Sequence, residues 1–164
     1  LIRAFYLIKD KIPHILYLKG KTSHGENYGE YLRGLVSELQ IAERVIFDDS
    51  YRREGELRYL YSHADLFVSP SLMEGFGWTP IEAAILEVPV LLSDIDVFRE
   101  ISCGKITTFD PNSPEELARK MLYLINTPAS KDHRKELSSF YLEKYSLNRH
   151  INKLTEIMLD NINK

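Results

Sequence analysis

"DLFVSPSLMEGFGWTPIEAAILEVPVLLSD", residues 65–94, decides the fold. It begins with a short apolar run, Leu66 to Val68, that closes on Ser, Pro and Ser, crosses a glycine loop into a helix-spaced segment, and returns through "VPVLLSD" to a second apolar run. Short runs that are apolar nearly throughout and bounded by Gly, Ser, Asp or Pro read as strands buried on both faces. A helix between two of them makes the pair parallel. The loop is unusual. An ordinary turn sets Gly, Asn, Asp and Pro among small or polar neighbours. This one keeps Gly75 and Gly77 but fills the gaps with Phe76 and Trp78, straight after Glu74.

The same rhythm extends outward. "HILYLKG" (14–20), "RVIFDD" (44–49) and "ITTFD" (106–110) are further strand-like runs. "EYLRGLVSELQI", with Leu32, Leu35, Val36 and Leu39, and "EGELRYLYSHA", with Leu57, Leu60, Tyr61 and Ala64, have helical spacing. The expectation is an α/β, Rossmann-like open parallel sheet with helices on both faces and right-handed crossovers. Beyond residue 112 only helices remain. In "NSPEELARKMLYLIN", Ser113 is placed to cap, Pro114 takes the first helical position and Glu116 completes a capping box. A second helix is expected over 130–144, and a third in "LNRHINKLTEIMLDNI" on Leu147, Ile151, Leu154, Met158 and Ile162.

No repeat or linker divides the chain, so residues 1–164 read as one domain. "LIRAFYLIKDK" starts on helix-period positions with no N-cap, and the reading is a piece of a longer protein cut near the start of a helix. A formal charge of -3 supplies no basic field for nucleic acid. No apolar run approaches the roughly 18 residues of a membrane span. One cysteine forbids an internal disulfide and, with no signal-peptide pattern, points to the cytoplasm.

The glycine loop lies at the carboxyl end of a strand that is parallel to its neighbour, where open α/β sheets bind ligands. Thr79, Pro80 and Glu82 read as a capping box with proline at the first helical position, so the free N–H groups and positive dipole end of the helix face the loop. That arrangement suits a phosphate or pyrophosphate. Gly75 and Gly77 let amides approach it, and Phe76 and Trp78 supply walls. Carboxylates accept hydrogen bonds from vicinal hydroxyls. Glu74 and Glu82, eight residues apart, are spaced to hold two hydroxylated groups joined by a pyrophosphate, which describes a nucleotide sugar. Blander roles stand beside these: Glu82 as the capping-box acid, Glu74 as a solvated loop acid, Phe76 as core, Trp78 as a contact for a facing domain.

"ADLFVSPSLMEGFGWTPIEAAILEVPVLLSDIDVFREI" resembles the nucleotide-sugar-binding half of retaining GT-B glycosyltransferases of family 4, also called group 1, and Glu74 and Glu82 match that family's Glu-x7-Glu pattern. The resemblance runs from the first helix through "YLKGK" to "FDPNSPEELA" and the terminal helices. It implies the C-terminal, donor-binding domain of a two-domain enzyme, with the acceptor (a glycan, lipid-linked glycan or surface polysaccharide) met by an absent N-terminal domain. It implies retention, no metal and no cofactor beyond the NDP-sugar substrate. By the same resemblance Glu74 is catalytic and lies by the donor sugar with Gly75, Phe76 and Gly77. Trp78 and Thr79 reach the diphosphate, Glu82 binds ribose, and Ser50, Tyr51, Arg52 and Leu57 meet the base. The family's diphosphate-clamping Arg and Lys would precede Leu1, so the isolated fragment is expected to be inactive, and its parent to work at the inner face of the membrane. Asp48-Asp49-Ser50 departs from the family's usual turn, and Cys103-Gly104 keeps only one glycine of its pair.

Other readings of the same crevice are a GT-B-like epimerase or phosphorylase and a non-catalytic α/β module that binds a ligand or partner. Several patterns are decoys. "GKT" at Gly20–Thr22 lacks the upstream glycine of a P-loop, Ile15 standing there. In "DID", Asp94 reads as a strand end and Asp96 as a helix cap rather than a metal pair. The histidines His14, His24, His63, His133 and His150 have no ligand spacing, and Cys103 reads as a buried inert thiol.

Overall fold

The computed structural model describes residues 1–20, 26–146 and 149. The five expected strands are present: β1 (Leu16–Lys19), β2 (Val45–Asp48), β3 (Phe67–Ser69), β4 (Val90–Ser93) and β5 (Thr107–Phe109). All pairings are parallel, but they form two sheets, β1-β2 and β3-β4-β5, where the sequence suggested one. His14 Nε2, just before β1, lies 3.5 Å from Asp65 Oδ2, just before β3, and joins the approaches to the two sheets.

Seven helices are seen among the described residues: α1 (Ile2–Ile8), α2 (Glu26–Glu38), α3 (Glu54–Ser62), α4 (Trp78–Ile85), α5 (Asp96–Ser102), α6 (Pro114–Asn126) and α7 (Lys131–Lys144). The helix expected over 147–162 falls outside the described residues, apart from 149, as do Lys21 and Thr22 of "GKT", His24 and His150.

β4 shows how the layers form. Successive strand side chains point to opposite faces. Leu91 enters a core cluster with Phe5, Ile8, Val36 and Leu117, contributed by α1, α2 and α6. Its neighbours Val90 and Leu92 enter another with Ile81, Ala84, Phe98, Ile101 and Tyr141, contributed by α4, α5 and α7. Helices therefore cover both faces, which is why this strand is apolar throughout. Phe98 and Tyr141 are fully buried, each worth about 2–3 kcal/mol by area. The Tyr141 hydroxyl donates to the carbonyls of Ile101 and Ser102 at the end of α5, and burial pushes its pKa up. Ser138 Oγ donates to Ile85 O at the end of α4, 2.6 Å away. α7 is thus pinned to the end of α4, which follows the glycine loop, and to the end of α5.

At α6 the Ser113 hydroxyl accepts from the Glu116 amide, as expected. The other half of that capping box is replaced: the Glu116 carboxylate accepts from the Asp110 amide and pairs with Lys120.

Candidate functional site

β3 and β4 end in the buried serines Ser69 and Ser93, and the Ser93 hydroxyl donates to Ser71 O, anchoring the start of the loop. The chain next exposes Leu72 and Met73, bends there and again at Gly75–Phe76, and enters α4. Gly77 is the N-cap, with φ +88°, and a Cβ there would meet Phe98 Cε1 at 2.9 Å and Ile101 Cδ1 at 3.0 Å. Only glycine suits both the left-handed backbone and the contact. Gly75 is different: its φ is not left-handed and a Cβ there would meet nothing within 4 Å.

The expected capping box at Thr79–Glu82 does not form. Gly77 takes the cap position, so α4 starts at Trp78 with no side-chain cap, and Pro80 sits third in the helix. Among the described residues no hydrogen bond uses the amides of Phe76, Gly77, Trp78 or Thr79. They stand at the positive end of the helix dipole, beyond the carboxyl ends of β3 and β4, ready for an external acceptor.

Freed from capping, the exposed Glu82 accepts a hydrogen bond at Oε2 from the Tyr61 hydroxyl at 3.3 Å. Burial first, then the Glu82 charge, pushes the Tyr61 pKa up to about 12, so the phenol stays a donor. Glu74 is half-buried and its carboxylate accepts from the Gly75 amide at 3.1 Å. Phe76 is 39% exposed, Trp78 54%, and their rings lie 4.6 Å apart. Phe76 is therefore not a core residue.

The expected base-binding residues follow β2. Asp48, buried at the strand end, organises them: its carboxylate accepts from the Ser50 amide at 3.0 Å, the Ser50 and Tyr17 hydroxyls, and Arg52 Nε at 3.0 Å. These donors, Ser50 and Tyr17 foremost, hold the carboxyl well below the usual carboxylate range. Ser50 and Arg52 are thus committed to Asp48, while Tyr51 is 90% exposed. Leu57 is half-buried, one turn before Tyr61 on the same side of α3, so that helix links the β2 loop to Glu82. Tyr17, Asp48 and Tyr61 were missed as site residues in the sequence. An Asp two residues before a Ser at a strand end is a legible Asx-turn signal for one of them.

The two other short patterns resolve differently from expectation. Ile95, not Asp96, is the N-cap of α5, and Asp94 and Asp96 both receive Arg99, at 2.7 and 3.0 Å. Cys103 is exposed, not buried, because the left-handed C-cap of α5 turns it outward to meet Lys144 Nζ.

Parallel strands covered by helices on both faces define a Rossmann-like domain, and the unsatisfied amides at the start of α4, with an acid on either side, make its carboxyl edge the candidate site. The chain belongs to the glycosyl transferases group 1 family, whose profile matches residues 1–140. It is 42% identical over 77 residues to the O-antigen chain mannosyltransferase RfbU of Salmonella typhimurium, covering 46% of this chain and 21% of that protein. It is 35% identical over 154 residues to the alpha-galactosylglucosyldiacylglycerol synthase of Streptococcus pneumoniae, covering 89% of this chain and 40% of that one. The chain thus spans well under half of the relatives it matches. Its fold is that of a C-terminal GT-B domain: HepE of Anabaena, solved with UDP-glucose, superposes with a TM-score of 0.81 at 21% identity over 98% of this chain and 44% of that one.

Proposed function

We propose that this chain is the donor-binding domain of a glycosyltransferase that moves a hexosyl group from an NDP-sugar to a glycan or lipid-linked acceptor with retention of configuration. The observation that carries the reading is the row of acceptor-free amides at the start of α4 between Glu74 and Glu82. The amides of Trp78 and Thr79 take the diphosphate, whose charge they and the helix dipole stabilise as it leaves. Glu74, with Gly75, Phe76 and Gly77, lies along the sugar. Its carboxylate orients hydroxyls and stabilises positive charge developing at the anomeric carbon. Glu82, oriented by Tyr61, accepts from the ribose hydroxyls, and the Ser50–Arg52 loop with Leu57 borders the base. Protein groups do this without a metal.

Relatives named as O-antigen mannosyltransferases support polysaccharide assembly as the setting. No helix among the described residues is long and apolar enough to cross a membrane. We place the protein in the cytoplasm, its acceptor brought by a facing domain at the membrane surface. Saturation-transfer NMR with UDP-, GDP- and ADP-sugars tests the reading. Transfer to the nucleotide and sugar protons of one donor class is expected; none from any of the three contradicts it.

A further inference from the structure

The segment from Leu72 to Gly77 has almost nothing of its own to hold its shape. Among the described residues its one internal hydrogen bond is the Gly75 amide to its neighbour Glu74. A loop free to move would have to be ordered each time a ligand bound, which weakens affinity. What the segment does have is the ring of Phe76, joined by that of Trp78 one residue past its end, and both meet a third ring at the end of α7. Tyr145, the C-cap of α7, places its ring edge-on to Phe76, centroids 5.7 Å apart at 81°, and to Trp78, 6.0 Å apart at 67°. Behind it, Tyr145 stacks on Tyr141 at 6.0 Å and 5°. Tyr141 is fully buried and fixed to the end of α5 by its hydroxyl. Gly77, between the two rings, lies against Phe98 and Ile101 of that same helix.

We propose that Tyr145 is a positioning residue for the glycine loop: through the rings of Phe76 and Trp78 it holds the amides of Gly75–Thr79 in the shape that meets the donor. Its role in binding rests on the donor reading above; its role in holding the loop does not. The device explains why aromatics flank Gly77. The two rings pack on Tyr145 and on each other yet stay partly exposed, which suits a loop that must be rigid and accessible together. It also makes the last turn of α7 part of the donor site's support, although it lies 67 residues beyond Trp78 in sequence.

Trp78 is the only tryptophan in the chain and therefore reports on the loop directly. The experiment compares acrylamide quenching of its fluorescence, and the Kd for UDP-glucose and GDP-mannose, in the 164-residue chain and in Tyr145→Ala, Tyr145→Phe and Tyr123→Ala. Tyr123, exposed on α6 away from the loop, is the control. In Tyr145→Ala the quenching constant is expected to rise roughly twofold and the donor Kd about tenfold, as for the loss of an aromatic anchor. Tyr145→Phe keeps the ring and restores both, and Tyr123→Ala changes neither. If Tyr145→Ala fails to fold by circular dichroism, Tyr145→Leu, which fills the space without a ring, carries the same comparison. Unchanged Trp78 quenching in the folded variant overturns the proposal whatever the nucleotide does. Raised quenching with an unchanged Kd overturns the link to binding. If the unsubstituted chain binds neither of these nor an ADP-sugar, the donor reading is what fails, and the quenching comparison alone decides whether Tyr145 holds the loop.

Discussion

Gly75 and Gly77 stand two residues apart in one loop and answer to different demands. Gly77 serves the fold, by its left-handed φ and its contact with Phe98 and Ile101. Gly77→Ala should cost about 3 kcal/mol, combining left-handed strain with overpacking, and lower the urea midpoint accordingly. A Cβ at Gly75 points into open space. Gly75→Ala should leave stability within about 0.5 kcal/mol. On the donor reading it should nonetheless weaken nucleotide-sugar binding, measured by calorimetry, because the added methyl would crowd the sugar proposed to lie beside Gly75. The sequence presents the two glycines alike, since the residues that distinguish them lie some twenty positions downstream. That Glu74 precedes the loop and Glu82 lies on the helix after it was better signalled, by spacing. That Glu82 escapes the helix cap was not, because Gly77 supplies a competing helix start that the Thr-Pro-Ile-Glu pattern hides.

At the scale of elements, apolar runs and helical spacing located all five strands and the helices before residue 146, because each buried face leaves a period in the sequence. The division into two sheets left no such trace: strand pairing depends on where strands sit, which period does not encode. Caps were legible where one side chain suffices. Ser113→Ala should destabilise the chain by about 1 kcal/mol, read as a lower Tm. The β2 end predicts a pH dependence. Because its hydrogen bonds hold Asp48 below the usual carboxylate range when folded, the unfolded chain takes up the proton first on acidification. Stability from this group is complete above about pH 4, the unfolded value, and is lost as pH falls below it toward the folded pKa. Asp94, beside Arg99, and Glu116, beside Lys120, add the same sign. Denaturation followed from pH 7 down should therefore show falling stability. Asp48→Asn should reduce that slope without abolishing it.

Across the whole molecule, helices on both faces leave the carboxyl ends of the parallel strands as the place where loops converge without being buried. Glu74, the α4 amides and the Asp48-centred loop all lie at such strand ends, and α3 ties two of these groups together through Tyr61 and Glu82. This much the strand–helix alternation foretold. The contribution of α7, reaching the loop through Tyr145, depends on long-range packing that no local pattern carries. On the proposed function, the amides from Gly75 to Thr79 meet the donor's sugar and diphosphate. An amide NMR titration of the isotopically labelled chain with UDP-glucose, GDP-mannose and ADP-glucose tests it residue by residue. The largest shifts are expected on Gly75, Phe76, Gly77, Trp78 and Thr79 for one of the three. Shifts confined to Asp94, Asp110 and Lys120, after β4, after β5 and on α6, with those five amides unmoved, would contradict it.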